Sequence, residues 1–120
     1  MGQRILFVDD EAPIRELVSL FFRKNGLQVS TAVNGTQARD RVAGAAFDLV
    51  ILDVNLSGEN GLELLCDFRK THPELPVLIL TGLQGQDLVQ EALAKGAKGL
   101  LHKTDPLPSL LEAVRSHLKA

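Results

Sequence analysis

The chain has 120 residues, 45% hydrophobic and 23% charged, which suits one globular domain that can bury a core without disulfides or a structural metal. No apolar run approaches the roughly 20 residues that cross a bilayer, and the N-terminus has no small-residue cleavage pattern of a signal peptide. A net charge of −2 without any basic block argues against direct nucleic-acid binding, and a single cysteine, Cys66, fits a reducing, cytoplasmic setting.

Ile5 to Val8 is a continuous apolar run, the signature of a strand covered on both faces. Ile14, Leu17, Val18, Phe21 and Phe22 then follow the spacing of one buried helix face, and Asn25-Gly26 marks its end. Val29 to Ala32 contains Ser30 and Thr31 and reads as an edge strand. Asn34-Gly35 marks a break, and a weakly patterned helix comes next, around Thr36 to Val42. Leu49 to Leu52 predicts the third strand, and Leu64, Leu65 and Phe68 the third helix, closed near His72-Pro73. Val77 to Leu80 predicts the fourth strand. Val89, Ala92 and Leu93 mark the fourth helix, ended near Lys95-Gly96. Leu100-Leu101 is the core of a fifth strand. Asp105-Pro106 reads as an N-cap with proline at the first helical position, and Leu107, Leu110, Leu111, Val114 and Leu118 form the apolar stripe of the last helix.

Strict alternation of strand and helix predicts an α/β domain over residues 1–120: a parallel five-stranded sheet between two helix layers. The flavodoxin-like strand order 2-1-3-4-5 puts the most apolar runs centrally and the polar run at an edge.

In such sheets chemistry gathers at the carboxyl ends of the strands. Asp9, Asp10 and Glu11 come after the first run, Asp53 after the third, Thr81 and Gly82 after the fourth, and His102 and Lys103 after the fifth. Close carboxylates repel one another, which raised pKa values or a bound cation relieve. Oxygen donors without His or Cys partners select a hard ion such as Mg²⁺. A nucleophilic carboxylate, a hard divalent ion, a lysine and a hydroxyl suit a transferred phosphoryl group. An Asp after a strand is often only a helix N-cap, so the weight rests on the combination.

Val8-Asp9-Asp10-Glu11, Asp53 with Gly61 eight residues later, Leu80-Thr81-Gly82, and the stretch from Gly96 to Lys103 together resemble the receiver domains of bacterial response regulators. The resemblance spans essentially the whole chain. It implies that Asp53 accepts a phosphoryl group from a sensor histidine kinase or histidine phosphotransfer protein. It implies that Asp10, Asp53 and the Asn55 carbonyl bind Mg²⁺, with Asp9 acting mainly through water. Lys103 would pair with phosphoryl oxygen, Thr81 would hydrogen-bond it, and Thr81 with Leu100 would switch the face of helix 4, strand 5 and helix 5. That face would then engage an output domain, an effector or a second copy of the chain. Gly82 and Leu83 would line the phosphoryl pocket, Leu83 shielding it from water. The protein would act on itself rather than turn over an external substrate.

Three positions depart from the usual pattern. Leu100 replaces the switch aromatic, Thr104 replaces a proline after the lysine, and Ser57 replaces a proline after the acceptor. His72 and His117 read as solvated, His102 as pointing away from Lys103, Cys66 as a buried thiol, and Asp48 as structural. Two alternatives stay in view: an interaction module that no longer uses phosphorylation, and a flavin or small-molecule protein on the same fold. The second lacks Trp and Tyr to sandwich a flavin, and no P-loop or dinucleotide glycine motif is present.

Overall fold

Residues 3–54, 56, 61–82 and 88–118 are described by a computed structural model of the chain. Strands β1 (Arg4–Val8), β2 (Gln28–Ala32), β3 (Leu49–Asp53), β4 (Val77–Thr81) and β5 (Gly99–His102) alternate with helices α1 (Ala12–Lys24), α2 (Gly35–Gly44), α3 (Gly61–Thr71), α4 (Val89–Ala94) and α5 (Leu107–His117). All strand pairs are parallel, in the order β2-β1-β3-β4-β5. The flavodoxin-like expectation holds, and the polar second strand lies at an edge.

The continuous apolar runs have a simple cause. Side chains alternate across a strand, and here both faces are covered. Ile5 and Phe7 of β1, with Ile51, Leu78, Leu80 and Leu101, pack against Val18 and Phe22 of α1 and Leu110, Leu111 and Val114 of α5. Leu6 and Val8, with Val50, Leu52 and Ile79, pack against α2, α3 and α4 through Ala38, Leu65, Phe68 and Ala92. The central strands thus contribute to two cores, so neither of their faces can be polar.

Local chemistry sets several boundaries. Asn34, at the predicted break, is the N-cap of α2: its side chain accepts from the Gln37 N–H at 2.9 Å, while Gln37 Oε1 accepts from the Val33 N–H at 3.1 Å. Gly26 (φ 91°) and Gly96 (φ 110°) take the left-handed conformation that ends α1 and α4. Asp105 is not the cap of α5. Pro106 occupies that position without a side-chain cap, and the proline inside the first turn is Pro108. The Asp105 N–H turns back to the His102 carbonyl at 3.0 Å, which makes this residue part of a turn instead.

Further expectations need correction. Helical spacing puts Leu17 on the buried face of α1, yet it is 56% exposed, because the sheet and α5 cover only part of that apolar stripe; Leu20 is 54% exposed. Leu93 likewise stands 39% exposed on α4. Cys66 is half-buried rather than buried, lining a groove with Leu62 of α3 and Glu91 of α4. His117 is half-buried rather than solvated, its ring packed where a side chain on Gly99 would stand, and His72 is also half-buried. Asp48 is structural as expected, accepting from the Arg4 N–H at 2.8 Å. No helix among the described residues is long and apolar enough to cross a membrane.

Candidate functional site

The register brings the strand ends together. Val8 pairs with Leu52, Asp53 with Leu80, and Thr81 with His102. Asp9 therefore leaves β1 beside the end of β3. The Lys103 N–H bonds the Thr81 carbonyl at 2.9 Å, extending the β4–β5 ladder by one link. Asp9, Asp53 and Thr81 are buried at 0%, 1% and 1% exposure, and Asp10 is half-buried.

The Lys103 ammonium is the hub. It donates to Glu11 Oε1 at 2.6 Å and to Asp53 Oδ2 at 2.8 Å, and stands 3.3 Å from Asp9 Oδ2. Asp9 is held from both sides: its Oδ1 accepts from the Glu11 N–H at 2.9 Å, and its carbonyl accepts from Arg15 Nη1 at 2.7 Å. Its Oδ2 is buried and has no hydrogen-bond partner in the protein, since the lysine approaches off the bonding direction. Carboxylate oxygens of Asp9, Asp10, Glu11 and Asp53 all lie within 4.8 Å of one another.

Four carboxylates facing one ammonium leave excess negative charge. Burial, and secondarily the Asp53 charge, push Asp9 up to about 6, against the opposing pull of the Glu11 N–H and Lys103. Burial alone would lower Lys103, but its hydrogen bonds to Asp53 and Glu11 outweigh this and raise it. An all-oxygen donor set with an orphaned buried carboxylate oxygen fits a hard divalent cation.

Thr81 is buried at the end of β4, its hydroxyl donating to the Gly82 carbonyl at 3.0 Å. A methyl group on Gly82 would stand 3.7 Å from Lys103 Cδ, so Gly82 borders the lysine stem. Leu100 is brought elsewhere: half-buried in β5, it packs against the core cluster that includes Ile79 and Ala92. His102 is half-buried beside Thr81 in the register. Asn55 and Leu83, and the departing residue Ser57, lie outside the described residues.

Glu11 belongs to the acidic motif, but its position alone assigns it no role. Its contact with Lys103 bridges 92 positions of sequence and becomes visible only once β1 and β5 end at the same edge. The one sequence signal is its place directly after Asp10. It is also the N-cap residue of α1 without a side-chain cap bond, which leaves its carboxylate available to the lysine.

Comparison with known proteins shows the same family and fold. The family model for the response regulator receiver domain matches residues 5–115. Sporulation initiation phosphotransferase F of Bacillus subtilis is 35% identical over 98% of this chain and 95% of its own length. Response regulator protein PilR of Pseudomonas aeruginosa is 35% identical, but the chain spans only 26% of it. Among solved structures, the receiver domain of NtrX from Brucella abortus superposes with a TM-score of 0.90 at 34% identity, covering 95% of this chain and 97% of that one. Chemotaxis protein CheY4 of Vibrio cholerae superposes with a TM-score of 0.90 at 32% identity over 98% of this chain and all of that one. The chain belongs to the response regulator receiver domain family of two-component signalling.

Proposed function

We propose that Asp53 is the phospho-acceptor of this receiver domain. The supporting observation is the 2.8 Å contact between the Lys103 ammonium and a buried Asp53 carboxylate at the centre of an acidic, cation-fitting pocket. An Asp53 carboxylate oxygen attacks phosphorus of a phosphohistidine. The new P–O bond forms as the P–N bond breaks, and the histidine leaves as imidazole, taking up a proton. Lys103 exchanges its Asp53 contact for a phosphoryl oxygen. The Thr81 hydroxyl turns from the Gly82 carbonyl to another. Asp10, Asp53 and the Asn55 carbonyl would hold Mg²⁺, with Asp9 acting mainly through water, and the ion would neutralise charge on the transferred group. Water later hydrolyses the acyl phosphate, with Leu83 limiting its access.

The donor is a sensor histidine kinase or a histidine phosphotransfer protein. The name of the Bacillus relative, a phosphotransferase, supports placement in a phosphorelay. The much greater length of PilR supports an output domain in some architectures. Movement of Thr81 would reach the face of α4, β5 and α5 through Leu100, whose lack of a ring favours a weaker switch. That same feature keeps a phosphorylation-independent interaction module as the second reading.

Incubation with acetyl phosphate and Mg²⁺, then intact mass measurement, tests the assignment. One added phosphoryl group that requires Mg²⁺ and is lost in Asp53→Asn is the expected result. No gain from either acetyl phosphate or a cognate phosphohistidine donor would overturn it in favour of the interaction module.

A further inference from the structure

We infer that Glu11 is a positioning residue that restrains Lys103 in the unphosphorylated state and slows acceptance of the phosphoryl group. This rests on the phospho-acceptor reading and adds a regulator to that site.

The geometry carries the inference. Glu11 Oε1 is 2.6 Å from the Lys103 ammonium, closer than Asp53 at 2.8 Å or Asp9 at 3.3 Å. An ammonium has three N–H donors. In this state two are spent on hydrogen bonds to Glu11 and Asp53. The Glu11 backbone cannot drift: its N–H is bonded to Asp9 Oδ1 and its carbonyl to the Arg15 N–H at the start of α1. Its carboxylate is thus tethered over the lysine from a rigid turn, on the solvent side of the buried pair.

Phosphoryl transfer changes what Lys103 must contact. The charge of the incoming group lies beyond the Asp53 oxygens, and the lysine has to reach it. A contact made in the ground state and weakened during transfer raises the barrier. Glu11 makes such a contact. Its side chain is 55% exposed, so the effect is that of a solvent-screened pair, about two- to fivefold in rate.

Three variants separate this from rival explanations. Glu11→Gln removes the charge and weakens the bond. Glu11→Ala removes both. Glu11→Asp keeps the charge but is one methylene too short to hold the lysine from the same backbone. Labelling by acetyl phosphate is tracked by intact mass at saturating Mg²⁺, with Mg²⁺ affinity measured separately by calorimetry. All three variants should label about two- to fivefold faster than the parent.

Labelling of Glu11→Asp at the parent rate, with Glu11→Gln faster, would mean that negative charge alone repels the donor, and would overturn the contact. Unchanged or slower labelling in all three would overturn the restraint itself. If the parent does not label while folded and Mg²⁺-bound, the phospho-acceptor assignment fails instead, and the two failures are distinguishable.

Discussion

Gly61 stands directly against the backbone that presents Asp53. A Cβ on Gly61 would lie 2.8 Å from the carbonyl oxygens of both Asp53 and Val54, and 2.9 Å from Val54 Cα. Gly61 opens α3, so the helix can start this close to the end of β3 only where no side chain intervenes. Alanine would gain at most about 1 kcal/mol of helix propensity, less at a first helical position. Displacing backbone in a packed site costs roughly 1–3 kcal/mol. Gly61→Ala should therefore lower the urea midpoint and weaken Mg²⁺ binding together. A raised midpoint with unchanged Mg²⁺ affinity would show that the close approach serves nothing.

The buried carboxylate of Asp9 makes stability depend on pH. Its native pKa of about 6 lies above the ordinary value of 3.8, so the folded chain holds this proton more tightly than the unfolded chain. Its stabilising contribution is complete below pH 4 and is lost as pH rises through 6, by about 3 kcal/mol in all. Lys103 is raised as well, so its contribution is constant across this window and is lost only at strongly alkaline pH. In chelator-treated protein, the melting temperature should fall between pH 4 and 7. Asp9→Asn should flatten that fall and be the more stable protein at pH 7.5. Mg²⁺ should restore the parent at pH 7.5 by binding the ionised cluster, and should do little for Asp9→Asn. A parent whose metal-free stability is flat from pH 4 to 7 would contradict the raised pKa.

Removing the cation should act in the opposite direction. Lys103→Met leaves Asp9 and Asp53 buried without their ammonium partner. Losing one member of a fully buried pair costs roughly 3–5 kcal/mol. This lysine retains 15% exposure and Asp9 can take up a proton, so about 1–3 kcal/mol is expected at pH 7.5. Mg²⁺ should recover most of it. Chemical denaturation with and without the ion measures both quantities, and full stability of the metal-free variant would show that the pair contributes little.

The site and the sheet were legible in sequence for one shared reason. A strand buried on both faces must be apolar throughout, and the residues just beyond its carboxyl end are free to carry chemistry. Ile5 to Val8 leading into Asp9 and Asp10 shows both halves of that rule, as does Leu49 to Leu52 leading into Asp53. The features that escaped depended on contacts across the fold. Glu11 meets Lys103 only after β1 and β5 reach the same edge. Leu17 satisfies helical spacing yet faces solvent, because periodicity identifies a stripe but not how much of it the sheet covers. Asp105-Pro106 has the composition of a cap, and the turn to the His102 carbonyl claims it first.

Leu17 and Leu20 remain exposed on α1 although most leucines of the described chain are buried. Leu17 also borders a cleft of about 250 Å³ between α1 and α5 whose lining includes Leu80, Lys103 and Pro106. A phosphohistidine protein that docks on α1 to reach Asp53 would find apolar surface there to bind. A small donor needs no such surface. Leu17→Ser and Leu20→Ser together should leave stability within about 0.5 kcal/mol, as for other surface changes. Labelling by acetyl phosphate should be unchanged, because neither residue belongs to the carboxylate cluster. Transfer from a phosphorylated histidine protein should slow about fivefold or more, since truncating a central apolar anchor costs over about 1 kcal/mol. Equal losses with both donors would place the effect in the pocket itself, and no loss with the protein donor would remove α1 from its path.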